Sequence, residues 1–415
     1  MEEIAAKPQL TWSQRTFGKM DKGSLRGSIF TLLSTAIGSG CLTLPYALYY
    51  DGLILGIGML ALTAFIAYLG LVNIALAANT QQTYHYPSLL AKCMGPKMGY
   101  VGDAIMILYL FSTLVVYQVL LGIFVPSILS SMDVHQALWE ERIIPMIGFN
   151  ILVMIPLALF RELTNLRFVS LFCFVTLFYV AILIVVEFPL FAAENDFSNI
   201  VWAKVDLNIF SSFSICLFSY ACHTNMPQIQ GELANTTYRR SKKVSARGII
   251  GIFTPYFMLA LFGYLSCLGD TPELIIQRRP PSSINNDWAM VIAKIGITLN
   301  LVFSVPVNLP PCRTCIIKTI LRIDDRPSTK VHASVTLGLL FVSLLVAIVF
   351  PNVIAWLNFM GGFCGGLLIM LIPCLLRIYT LKLPWTNWKT ILLLCFNGFF
   401  FAVGITSVVL TFARP

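Results

Sequence analysis

Apolar runs recur from residue 25 to residue 413, most of them long enough for the roughly 20 residues of a helical membrane crossing. Charges or Pro/Gly punctuation divide them into eleven predicted spans, near 25–50, 51–79, 99–130, 143–160, 166–190, 206–230, 246–269, 287–320, 332–350, 352–377 and 388–413. Hydrocarbon offers no partner to a backbone N–H or C=O, so each run is expected to be helical; a barrel would show strictly alternating segments of about 10 residues. The expected class is an all-α polytopic membrane protein. Connections between the runs are short, so function is expected to reside within the bundle.

Composition agrees. Hydrophobic residues make up 57% of the 415-residue chain and charged residues 11%, against about 25% charged in soluble proteins. The net charge of +9 would suit nucleic acid if it were clustered, but it is spread over the loops. With the N-terminus inside, 22 of the 28 Lys and Arg fall on inner segments, leaving Arg142, Lys204, Arg278, Arg279, Lys294 and Arg414 outside. That bias predicts a cytoplasmic N-tail (residues 1–24) and a C-terminus on the opposite face. The tail has no apolar h-region, so no cleaved leader is expected. Most of the 11 cysteines sit inside apolar runs and form no disulfide framework.

Two spans carry interruptions. The first contains Gly38-Ser39-Gly40 followed by Leu44-Pro45; the glycines lower helicity, and Pro45 lacks the N–H a helix would use. The sixth contains Ser219-Tyr220-Ala221-Cys222-His223-Thr224-Asn225 and then Pro227. Polar groups at that depth are costly unless they face a cavity. Paired broken helices at the starts of two halves are the mark of a discontinuous-helix transporter. Five spans per half is an odd number, so the halves are expected to be inverted: residues 25–190 as repeat one, 206–380 as repeat two, and span 11 (388–413) added. The two halves show no direct sequence likeness; the repeat rests on topology and on the two breaks.

A broken helix leaves N–H groups free at one half-helix and C=O groups free at the other, suited to a carboxylate and an ammonium. A zwitterionic amino acid presents both. The expected contacts are Ile37, Gly38, Ser39 and Gly40 in span 1, and Ser219, Tyr220 and Cys222 in span 6.

On these residues the chain resembles the amino acid/auxin permease family, in the branch of system A/N neutral amino acid transporters and their protist relatives. Gly38-Ser39-Gly40-Cys41-Leu42-Thr43-Leu44-Pro45-Tyr46-Ala47 is similar to the family's span 1 signature, and Cys222-His223 through Gly231-Glu232-Leu233 to its span 6 stretch. Ser304-Val305-Pro306 to Pro311 with Arg313, and Phe350-Pro351-Asn352-Val353 with Gly361-Gly362, are similar to spans 8 to 10. The resemblance covers about residues 24–412 and implies a LeuT-like 5+5 inverted repeat with an extra helix. It also implies ion-coupled symport of amino acids by alternating access. Three departures bear on the ion: Thr224 stands where that branch has Pro, Ser34 where it has Asn, and Ser304 where it has the sodium-site Thr.

The coupling ion is expected to be a proton or sodium. His223 is the one ionisable side chain near mid-span, and its ordinary pKa of about 6.5 suits a proton relay. A neutral imidazole bonded between spans 1 and 6 is the plain alternative. Ser34 and Ser304 offer oxygens to sodium, though serine is a poorer ligand than the family's Asn, so the reading leans to the proton.

Other signals are expected to be structural. Cys312-x-x-Cys315 has no neighbouring His or second pair; Asn235-Thr236-Thr237 lies in an inner loop, where it would not be glycosylated. Arg239-Arg240 and Lys242-Lys243 read as topology signals, Lys294 as snorkelling outward, and Glu232 as a cap or gate partner. Tyr46, Tyr117 and Tyr220 are candidates to line the cavity. No filter repeat suggests a channel, and no His/Asp/Glu cluster suggests an enzyme, a metal or a cofactor. A receptor that binds amino acids without moving them remains the rival. The expected partners are an amino acid and the bilayer, the expected state a monomer, and the expected location the plasma or a vacuolar/lysosomal membrane.

Overall fold

The computed structural model describes residues 23–36, 38–132, 141–159, 166–283, 287–323 and 327–413, without the side chains of Ser39 and residues 166–170. Helices dominate throughout. They run α1 Leu25–Ala36, α2 Leu44–Asp51, α3 Leu53–Gln81, α4 Tyr86–Met94, α5 Pro96–Ser131, α6 Ile143–Phe149, α7 Ile155–Leu159 and α8 Leu166–Glu194. The second half has α9 Ile209–Ser219, α10 Met226–Glu232, α11 Tyr238–Cys267, α12 Trp288–Cys315, α13 Thr329–Val349, α14 Val353–Asn358, α15 Ile372–Thr380 and α16 Trp388–Ala413.

By length and apolarity, eight helices among the described residues can cross a membrane, or nine if the bent α1–α2 pair is one span. The eleven expected spans differ from this at two places. The fourth is a 17-residue apolar helix, Ile143–Leu159, whose middle, Asn150–Met154, is a π turn joining α6 to α7. The sixth is split at Ser219 into an 11-residue α9 and a 7-residue α10. The fourth is continuous but short, and the sixth is divided by the polar segment Tyr220–Asn225, so neither is one long apolar helix.

Local chemistry sets the ends. Asp287 caps α12 by accepting from the Met290 amide at 2.8 Å, and Asn352 caps α14 by accepting from Ala355 at 2.9 Å, each satisfying an orphan N–H. The corner between α2 and α3 needs Gly52, at φ 80°. A Cβ there would meet the Val201 carbonyl at 2.8 Å. The loop before α9 closes on this corner, with the amides of Leu53 and Ile54 donating to Val201 and Trp202.

Helix α11 packs against α1, α2, α3 and α8, and α9 against α2, α3, α16 and the π stretch Phe359–Leu371 between α14 and α15. That stretch approaches α9 through Gly361, whose Cβ would overlap the Ser214 carbonyl. The loop after α11 is pinned by Arg278, buried against Glu187 of α8 and 4.2 Å from the Phe191 ring. Lys294 does not reach solvent as expected: it is 8% exposed and donates to Ser131 at 3.3 Å. Glu232 accepts from Gln228 and pairs with no arginine among the described residues.

Candidate functional site

The two interruptions meet in the middle of the bundle. The axes of α1 and the residues after Gly40 differ by 59°. Gly38 is extended, with φ −144° and ψ −166°, and the chain then enters a 3-10 turn, Ser39–Thr43. The opening amides of a helical element have no intrahelical partner, and here they start at Gly38–Gly40. Local bonds hold the turn: Cys41 Sγ donates to the Gly38 carbonyl at 3.0 Å and Thr43 Oγ1 to the Gly40 carbonyl at 2.7 Å. In the partner helix, α9 ends at Ser219, and a 3-10 turn, His223–Asn225, leads into α10 with Pro227 in its first turn.

One hydroxyl bridges both breaks. Tyr256 Oη of α11 lies 2.9 Å from the Ala36 carbonyl oxygen and 3.1 Å from that of Ser219. The residue is completely buried. Its ring lies 5.6 Å from that of Tyr220.

Between the breaks is a cavity of about 110 Å³, well above the roughly 10–15 Å³ that one water needs. Gly38, Gly40, Ser34 and Ser219 line it from the broken spans, together with Ala221 and Asn225. Helix α5 adds Tyr109, Thr113 and Tyr117, and α12 adds Ser304, Val307 and Asn308. Among the described residues that line it there is no Asp, Glu, Lys or Arg. A smaller void of about 20 Å³ continues past Gly38, Tyr117 and Ser304, lined by Asn300, Cys41 and Leu177 among others. Those three shared residues therefore form a partition.

The polar contacts are all neutral. Ser34 Oγ donates to the Thr31 carbonyl at 3.0 Å, and Ser304 Oγ to the Asn300 carbonyl at 2.8 Å, leaving lone pairs on both hydroxyls for a further donor or cation. Asn308 Nδ2 donates to the Tyr117 hydroxyl at 3.3 Å, and Tyr109 Oη to the Ala221 carbonyl at 3.4 Å. Tyr109 and Phe218, with ring centroids 6.4 Å apart, give the cavity an aromatic wall.

Of the sequence candidates, the fold brings Gly38, Gly40, Ser219, Ser34 and Ser304 to one cavity. Tyr220 and Cys222 are fully buried and do not line it. His223 turns away: its Nε2 is 2.9 Å from the Ala67 carbonyl of α3. It therefore bonds to span 2, not span 1. Ile37 and the Ser39 side chain lie outside the described residues. Of the three tyrosine candidates only Tyr117 faces the cavity; Tyr46 stacks with Tyr49 and Tyr50 instead.

Tyr109, Thr113, Asn300 and Asn308, which the sequence reading did not name, have a visible signal beside Tyr117 and Ser304. Tyr109, Thr113 and Tyr117 are spaced by four, as are Asn300, Ser304 and Asn308. Four-residue spacing places side chains on one face of a helix, so each otherwise apolar span carries a polar stripe toward the centre.

Residues 21–414 match the family described as "Transmembrane amino acid transporter protein". The "Putative amino acid transporter AAT1" of Toxoplasma gondii is 27% identical over 309 residues, 74% of this chain and 42% of that protein. The "Vacuolar amino acid transporter 5" of Schizosaccharomyces pombe is 25% identical over 355 residues, 85% of this chain and 83% of that one. Among solved structures, MhsT in complex with L-phenylalanine superposes with a TM-score of 0.62 at 12% identity, covering 94% of this chain and 100% of that chain. At that identity the likeness shows the fold, which is LeuT-like. With the match running through both breaks and nearly the whole bundle, the chain belongs to the transmembrane amino acid transporter protein family.

Proposed function

We propose that the chain is a secondary active transporter of small neutral amino acids, working by alternating access around the cavity between α1–α2 and α9–α10. The observation that carries this is an uncharged cavity walled by both helix breaks. A substrate with both charges needs no counter-charge from side chains when helix ends supply partial charges of each sign. In this reading the carboxylate meets the opening amides at Gly38–Gly40, and the ammonium meets the carbonyls of Ala36 and Ser219. Each carbonyl oxygen has two lone pairs, so Tyr256 and an ammonium can share it. Phe218, Tyr109 and Val307 then face the substrate side chain, and the small volume favours a short one.

The reading includes the eleven-span topology, with Ile143–Leu159 and the α9–α10 pair both crossing and the two five-span halves inverted. It places the N-terminus in the cytoplasm, on the Lys/Arg bias. The membrane is the plasma membrane or a vacuolar/lysosomal one.

For coupling, Ser34 and Ser304 share the cavity lining while His223 is bonded to α3. This favours a cation held by hydroxyl and main-chain oxygens over a relay through His223, and so sodium over the proton. The test is uptake of a labelled amino-acid panel by reconstituted protein, with sodium and pH gradients imposed separately. Sodium-driven uptake of short neutral amino acids is expected. Uptake of charged amino acids alone, or binding without counterflow exchange, would overturn the proposal, the latter in favour of a receptor.

A further inference from the structure

A second cavity, larger than the one at the breaks, lies elsewhere in the bundle. A space of about 380 Å³ lies between α3, α15 with its preceding π stretch, and α16. At its far end α16 is held tightly: Gly404 and Gly362 approach so closely that a Cβ on either would overlap the other's backbone. Nearer its start α16 walls the cavity, a wedge between helices, through Lys389, Thr390, Leu393, Phe396 and Asn397. Packed interiors do not leave such volumes empty of partners.

The wedge has two chemically different ends. Ile66, Ile369, Met370, Leu393 and Phe396 line the apolar end. Arg377, Lys389, Asn73 and Thr390 line the other. From Ile369 to Arg377 is eight residues of chain, about 12 Å at helical rise. Arg377 Nη1 donates to Asn73 Oδ1 at 3.1 Å, which aims its guanidinium across the polar end. Thr390 is 1% exposed, and its hydroxyl has no hydrogen-bond partner among the described residues. Both Thr390 and Lys389 stand in the first turn of the 26-residue α16, whose Lys389, Thr390 and Ile391 amides are already taken by Asn387, so the side chains are what this end offers a ligand. The mouth is open: Leu381 is 43% exposed, and Lys389 is exposed.

We propose that this wedge is a binding site for one anionic phospholipid, its phosphate held by Arg377, Lys389 and the Thr390 hydroxyl. An acyl chain lies along Ile66, Ile369 and Phe396. A soluble phosphate would use only the polar end, and a neutral lipid would leave the two cations unpaired; the phospholipid uses both ends. The polar end lies at the start of α16 and the end of α15, the depth at which a headgroup sits on the Lys/Arg-rich face. Occupancy splints α16 to α3, whose Gly70 lies on the wall of the wedge and against His223.

Native mass spectrometry of the delipidated full chain, with dioleoyl phosphatidylglycerol or dioleoyl phosphatidylcholine added back, tests this. One phosphatidylglycerol is expected to be retained in preference to phosphatidylcholine. The exposed Lys389→Gln change should cut that preference about fivefold, the usual worth of one cation near an anionic lipid. Leu393→Trp, which fills the apolar end, should abolish retention while size-exclusion behaviour stays unchanged. Equal retention of both lipids, or retention indifferent to both variants, overturns the site. Displacement by millimolar glycerol phosphate would show a site for soluble phosphate and overturn the lipid assignment.

Discussion

Tyr256 Oη lies 2.9 Å from the carbonyl oxygen of Ala36, the last residue of α1. The same hydroxyl is 3.1 Å from the Ser219 carbonyl, the last residue of α9. A single side chain on an unbroken helix thus serves the buried carbonyl ends of both broken ones. A hydroxyl has one proton, so it donates fully to one carbonyl at a time, and the other is left ready to accept.

Replacing Tyr256 with Phe keeps the ring and removes that donor. A buried carbonyl left unsatisfied costs about 1–3 kcal/mol. The variant is expected to melt earlier in detergent and to transport with a raised KM. Unchanged uptake and unchanged melting would mean that water or substrate already satisfies both oxygens.

Gly38 and Gly40 should fail for different reasons. A Cβ on Gly38 meets nothing within 4 Å, whereas one on Gly40 falls 2.6 Å from the Phe218 ring. Gly38→Val is expected to fold, reach the membrane and lose transport, since its side chain occupies the cavity. Gly40→Val is expected to lose stability as well, because α9 must move away. Surface labelling beside uptake separates the two outcomes, and normal affinity in Gly38→Val would place the carboxylate elsewhere.

His223 and the serine pair give opposite expectations for coupling. Ser34→Ala with Ser304→Ala should weaken sodium dependence several-fold while leaving expression intact. His223→Ala removes the bond to the Ala67 carbonyl, which should destabilise the fold by about 1–3 kcal/mol without creating or removing a pH dependence. Uptake is measured in sodium-free vesicles with an inward proton gradient. Proton-driven uptake lost only in the His223 variant would restore the relay.

Topology is checked with tags. An epitope in the N-tail should be reachable only after permeabilisation, and one after Pro415 without it; on an internal membrane the C-terminal tag is lumenal. Both tags on one side would mean that Ile143–Leu159 or the α9–α10 pair fails to cross.

Arg278 offers a test of the loop after α11. Its side chain is buried with Glu187, and removing one partner of such a pair strands the other charge at a cost of about 3–5 kcal/mol. Arg278→Gln should therefore lower thermal stability sharply, and Arg278→Gln with Glu187→Gln should recover much of the loss. Melting curves of the three proteins decide this.

The helical bundle, the positions of both breaks and the absence of charge between Gly27 and Tyr50 are determined by sequence alone. They are local properties: a run of apolar residues has one stable form in lipid, and Gly38, Gly40, Pro45 and Pro227 act on their own backbones. The facing of Tyr220, Cys222 and His223 was not legible, because side-chain phase cannot be counted through a segment that leaves the helix between Ser219 and Met226. Where helices stay intact, as for Tyr109–Thr113–Tyr117 and Asn300–Ser304–Asn308, the phase was present in the spacing, but which stripe met which break was a matter of packing. Tyr256 carries no local signal, one tyrosine among apolar neighbours in α11; only the approach of α11 to both breaks makes its hydroxyl a bridge. The wedge beside α16 is equally tertiary: its lining comes from three helical segments, the first far from the others in sequence, and only their packing leaves the space between them.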